Sequence, residues 1–205
     1  MLSTDEIQQA LGAGYEGRGF ELKGRGRSDD KHFLAKVARG GLSMGNLRDG
    51  GHLVIGIDDK RPQDMLPGLD GAELASWAAY DDVSARLAAY CDPPLRFDLA
   101  QKELSSGIQI VVLQVHEFVD IPHLCARDYP DVLRAGALYV RSRKKPETAE
   151  VATSVEMREV LDLAAEKRLR AYVEAAQRAG VRLTTDTTAG SDREQFKAQQ
   201  PEAWE

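Results

Sequence analysis

Read for apolar periodicity, the chain gives its clearest signal at 53–57. There Leu53, Val54, Ile55, Gly56 and Ile57 stand between Gly50 and Gly51 on one side and Asp58, Asp59 and Lys60 on the other. An apolar run with such flanks predicts a strand buried on both faces. Upstream, Phe20, Glu21, Leu22 and Lys23 alternate and predict a second strand with one face on the core. Ser3 and Glu6 have capping-box spacing ahead of Ile7, Ala10 and Leu11, which predicts a first helix stopped by Gly12 and Gly14. Another helix is expected from Asp29 or Asp30, with Phe33, Leu34 and Val37 as its apolar face and a weak point or kink at Gly40 and Gly41.

Farther along, 61–70 reads as a loop and 72–90 as helical, in two pieces broken near Asp81 and Asp82. The runs 96–102 and 108–116 form a hairpin across 105–107. A short strand at 137–141 puts Leu138 and Val140 on one face and Tyr139 and Arg141 on the other. Thr153 and Glu156 form a second capping box, opening a helix to about residue 179 with Met157, Val160, Leu161 and Ala164 as its first apolar stripe.

Composition narrows the class. With 205 residues, 42% hydrophobic and 29% charged, the chain suits one globular domain and a tail. The divisions expected are an N-terminal helix at 1–14, a core domain at 15–152, a C-terminal helix at 153–180 that packs on the core or a partner, and a disordered tail at 184–205. A net charge of -6 advertises no nucleic acid globally, so an acidic polymer would need a local basic patch. No apolar run approaches the roughly 18 residues of a membrane span, and the amino end has no signal-peptide pattern. Two cysteines, Cys91 and Cys125, fit buried free thiols in a reducing cytoplasm.

Three carboxylates, Glu16, Glu21 and Asp59, flank the two leading strands. Brought together they would need a divalent metal or neighbouring cations, and Arg18 and Lys23 are at hand. The alternative is that both glutamates pair with Arg18 and Lys23 while Asp58 and Asp59 cap a turn. Two basic segments, one with Arg18, Arg25, Arg27 and Lys31 and one with Arg141, Arg143, Lys144 and Lys145, suit a phosphate backbone. The glycines at 12, 14 and 17 mimic a dinucleotide fingerprint but follow a helix instead of a strand. His116, His123, Cys91 and Cys125 lack zinc spacings. Neither a P-loop nor a nucleophile elbow is present.

The pattern from Glu16 through Glu21 to Lys23, then Asn46, then 49–59 ending in Asp58 and Asp59, with Tyr139, Val140 and Arg141 later, resembles the Schlafen-type AlbA-like family, also labelled divergent AAA. The likeness covers roughly 10–165. Leu22 stands where Phe is usual, and 43–48 departs from the common lead into the glycines. The resemblance implies an α+β domain, a mixed sheet with helices packed on it. For some members it implies a metal-dependent endoribonuclease acting on structured RNA such as transfer RNA. Carried over by position, Glu16, Glu21 and Asp59 would hold magnesium or manganese with Lys23 beside them; no zinc and no organic cofactor is expected. The alternatives are a non-catalytic DNA-binding or regulatory module, with a homodimer among its partners, and a nucleotide-binding domain with phosphates near Asp49, Gly50 and Gly51. No membrane partner is expected.

Overall fold

Successive side chains of a strand go to opposite faces, so burying an entire apolar run requires cover on both sides of its sheet. The computed structural model of the chain, which describes residues 1–13, 17–143 and 147–181, supplies that cover with helices. In chain order the elements are α1 (Thr4–Gly12), β1 (Phe20–Lys23), α2 (Lys31–Gly45), β2 (Gly51–Ile55), a 3-10 turn at Pro62–Asp64, α3 (Gly71–Ser76), α4 (Tyr80–Ala88), β3 (Cys91–Asp92), β4 (Phe97–Glu103), β5 (Gln109–Val115), β6 (Leu124–Cys125), β7 (Tyr139–Arg141), β8 (Thr148–Glu150) and α5 (Ser154–Arg178). The main sheet has the order β1-β2-β5-β4. β1 runs parallel to β2, whereas the β2–β5 and β5–β4 pairs are antiparallel. The chain is α+β with a mixed sheet, and no helix among the described residues is long and apolar enough to cross a membrane.

One face of the sheet presents Leu53, Ile55, Val111, Leu113 and Val115 to a core shared with Leu34, Val37, Ala38 and Leu42 of α2. The other presents Val54, Ile110, Val112, Phe20 and Leu22 to Ile7 and Leu11 of α1. Both helix starts carry the caps expected of them. Ser3 and Glu6 exchange hydrogen bonds ahead of α1, and Asp30 accepts from the His32 and Phe33 amides at α2. A third cluster, Phe118, Val140, Val160 and Leu163, joins the β7–β8 hairpin to the first half of α5.

Three expectations are corrected. α2 runs unbroken through Gly40 and Gly41. A Cβ at Gly40 would lie 2.8 Å from Leu53 and one at Gly41 would lie 2.6 Å from Leu95; the glycines let the helix lie close on its neighbours. The break between α3 and α4 falls at 77–79, ahead of Asp81 and Asp82, which occupy the first turn of α4. Of the stripe expected at the start of α5, Val160 is buried, with Leu163 beside it, while Met157 and Leu161 are exposed. The sheet, α1 to α4 and α5 as far as Lys167 form one compact unit, Met1–Lys167. A second unit begins at Arg168; its described part is the end of α5 and the residues to Val181, with Leu169 and Tyr172 exposed. The tail at 184–205 lies outside the described residues.

Candidate nucleic-acid interface

β1 is short and alternates, so Phe20 and Leu22 face α1 and Glu21 faces α2. Glu21 is paired in register with Leu53 and only 7% exposed. An ionised carboxylate in that position must be matched by charge and hydrogen bonds. Arg141 of β7 donates from Nη1 to Glu21 Oε2 at 2.6 Å, Thr148 of β8 donates to the same oxygen at 3.1 Å, and Lys23 Nζ binds Oε1. Gly40 makes room, because a Cβ there would stand 3.3 Å from both carboxylate oxygens. Ser43 Oγ lies 2.8 Å from Thr148 Oγ1 and extends the polar chain into α2.

A cleft of 670 Å³ opens over this centre, lined by Glu21, Lys23, Lys36, Arg39, Asp59, Arg141, Glu147 and Thr148 among others. The structure thus brings Glu21, Lys23 and Asp59 to one cleft. Glu16, Lys144 and Lys145 lie outside the described residues. Two cleft cations, Lys36 and Arg39, are not among the candidates read from the sequence; their i, i+3 spacing on α2, ending one residue before Gly40, is the available signal. Arg39 also donates to Thr148 O at 3.2 Å and stands 5.4 Å over the Tyr139 ring.

The other basic candidates are placed differently. Arg141 is 1% exposed, and its guanidinium donates to Arg18 O at 3.0 Å and to Gly17 O and Phe20 O at 3.3 Å, besides Glu21. A side chain so enclosed braces the fold, and Arg141, expected among the nucleic-acid contacts, lies inside the protein instead of on its surface. Arg25 is bound to Asp70 and Glu73, and Arg27 to Asp29. Arg18 and Arg143 converge on Glu159 of α5. Burial acts to raise the Glu159 pKa, but the hydrogen bonds from Arg143 and Arg18 outweigh it and hold it below the ordinary carboxylate value. Lys31 is exposed in the first turn of α2.

The Glu21 carboxylate accepts from Lys23 and Arg141, two cations, and from Thr148, so its lone pairs are largely committed. Among the described residues no group of three or more His, Cys, Asp or Glu side chains is arranged to hold a metal. A divalent ion at Glu21 would have to displace Lys23 from Oε1. The glycines expected near nucleotide phosphates are packed on protein. Gly50 has φ +71°, a Cβ on it would lie 2.1 Å from Val115 O, and the Asp49 amide already donates to Glu117 at 2.9 Å. Asn46 has a structural part: its Nδ2 donates to His123 O and Tyr139 O, and its Oδ1 accepts from the His123 amide. His123 is itself buried, with Nδ1 2.7 Å from Pro93 O.

No family model and no curated protein matches this chain. Among solved structures, the DIP2311 protein from Corynebacterium diphtheriae is similar at 16% identity and a TM-score of 0.49, over 69% of this chain and 23% of that one. The chain therefore spans under a quarter of that protein's length.

Proposed function

We propose that this chain is a Schlafen-type AlbA-like protein that binds nucleic acid along the Glu21 cleft. The observation that carries the reading is the convergence of Lys23, Lys36 and Arg39 on one cleft over a carboxylate already neutralised by Lys23 and Arg141. With Glu21 compensated, Lys36 and Arg39 are left to meet phosphate oxygens, and the backbone of RNA or DNA supplies these at regular spacing. Under this reading Arg141 and Thr148 hold Glu21 in place, and Glu21 in turn orients Lys23.

The test is binding of transfer RNA, single-stranded RNA and duplex DNA by the full chain at several salt concentrations. Lys36→Gln with Arg39→Gln should weaken binding to all three. It should also flatten the salt dependence by about 0.7–0.9 for each phosphate that is no longer neutralised. Arg25→Gln with Arg27→Gln, which removes cations already paired to carboxylates, should change it little. Unchanged affinity in the cleft variant would remove the proposal.

A second reading is favoured by Asp59, which shares the cleft with Glu21: the site cleaves structured RNA with manganese or magnesium. Manganese-dependent cleavage of transfer RNA that disappears in Asp59→Ala would establish that reading, and binding without turnover would establish the first.

A further inference from the structure

The sheet has two edges, and β4 forms one of them. An antiparallel ladder bonds alternate residues of a strand to one neighbour and leaves the others pointing to the opposite side. Here His116 donates to Arg96 O and Leu104 donates to Ile108 O, so with the register of Asp98 to Gln114 and Ala100 to Val112 the even-numbered residues of β4 bond to β5. The N–H and C=O groups of Leu99, Gln101 and Glu103 therefore point away from the sheet, and no hydrogen bond from another described residue reaches them. The Phe97 carbonyl is the exception, accepting from the Tyr80 hydroxyl at 3.2 Å. An open edge is a template for another strand, and proteins commonly protect it with charge. β4 carries its charges at Asp98, Lys102 and Glu103.

We propose that β4 pairs antiparallel with β4 of a second copy of this chain about a two-fold axis at Ala100, joining two sheets into one of eight strands. The spacing selects this partner and this register. Centred on Ala100, the pairing sets Leu99 opposite the partner's Gln101 and Gln101 opposite the partner's Leu99, so outward N–H and C=O groups meet their complements. The same register sets Asp98 opposite the partner's Lys102, twice over, at positions where the backbones do not bond and side chains approach most closely. Moving the axis to Leu99 or Gln101 keeps the backbone parity but separates both charge pairs. Ala100 against itself on the axis adds no bulk. The ladder ends at Asp98, because Tyr80 occupies the carbonyl beyond it. An isologous contact of this kind closes on itself and leaves β1 and the Glu21 cleft at the two outer ends.

Sedimentation equilibrium of the full chain reads the proposal. The wild-type chain should dimerise reversibly, with Asp98→Lys and Lys102→Asp each weakening association by about tenfold or more through like-charge opposition. The double exchange, D98K with K102D, should restore association to within about threefold of wild type, since the pairs re-form with signs reversed. Register is read separately: Ala100→Cys should give an interchain disulfide on mild oxidation, and Asp98→Cys should not. A variant that fails to fold leaves the Ala100→Cys crosslink as the readout, because that substitution adds one sulfur at an edge position. A wild-type chain monomeric at about 0.5 mM, an Ala100→Cys chain that stays uncrosslinked, or single charge reversals without effect would each overturn the proposal.

Discussion

The two edges of the sheet are finished in opposite ways. β1 has four residues and runs parallel to its neighbour, and a guanidinium meets its edge: Arg141 takes Phe20 O and, just ahead of the strand, Arg18 O while holding Glu21. β4 has seven residues, and among the described residues no strand pairs with its outer side. Parallel pairs are slightly weaker per residue than antiparallel ones, and a short parallel edge has few bonds to lose. The difference teaches that Arg141 does two jobs with one planar group, closing an edge and balancing a buried acid. Lysine, a point charge, could not reach both. β4 is held by its long antiparallel ladder to β5 and needs no such brace.

The largest effect should come from breaking the braced edge. Arg141→Met should cost about 3–5 kcal/mol, the usual result of removing one partner of a buried pair, read as a fall in the urea midpoint. If the loss were under about 1 kcal/mol, typical of a surface pair, the brace would be discounted. Next is Gly40→Ala, which presses a methyl against Leu53 and the Glu21 carboxylate. Overpacking of this kind costs roughly 1–3 kcal/mol, and a stabilised Gly40→Ala chain would mean the helix has room to shift. On the bare edge, Asp98→Asn should change the stability of the chain by less than about 0.5 kcal/mol, since the residue is exposed and its contact is with His116.

The smallest effect expected is on pH dependence. Burial holds both His52 and His123 below the ordinary imidazole value of 6.5; at His123 the hydrogen bond to Pro93 opposes it. A histidine kept neutral in the fold binds protons more readily when unfolded. Stability should therefore be full above pH 6.5, begin to fall as the pH drops through that value, and go on falling until the depressed pKa values are passed. Thermal denaturation of His123→Asn against pH should show a shallower decline than wild type.

Much of this frame is legible in the sequence because it rests on local rules. The capping box at Ser3, the Thr153 hydroxyl accepting from the Glu156 amide, the doubly buried strand through Leu53 and the hairpin of β4 and β5 follow from side-chain period and turn chemistry. The short strands β3, β6 and β8 are not legible, since two or three residues carry no period. Glu21 alternates as a solvent-facing residue would, and only the approach of α2 and β7 buries it. Arg141 has the composition of a phosphate contact, and its enclosure depends on residues more than a hundred positions earlier. Gly40 and Gly41 are poor helix formers by propensity, but close packing on Leu53 and Leu95 overrides it. Lys36 and Arg39 do not stand out in the sequence, because a charged helix face is ordinary until a cleft opens beside it.

Asn46 leaves one more consequence. Its amide is set between two carbonyls that need a donor and one amide that needs an acceptor, so the side chain is defined down to which end is nitrogen. Deamidation would exchange a single NH2 for oxygen with almost no change of shape, yet would turn a negative group upon His123 O and Tyr139 O. Chemical ageing at that one position should therefore loosen the seam between α2 and β7 more than its small mass change suggests.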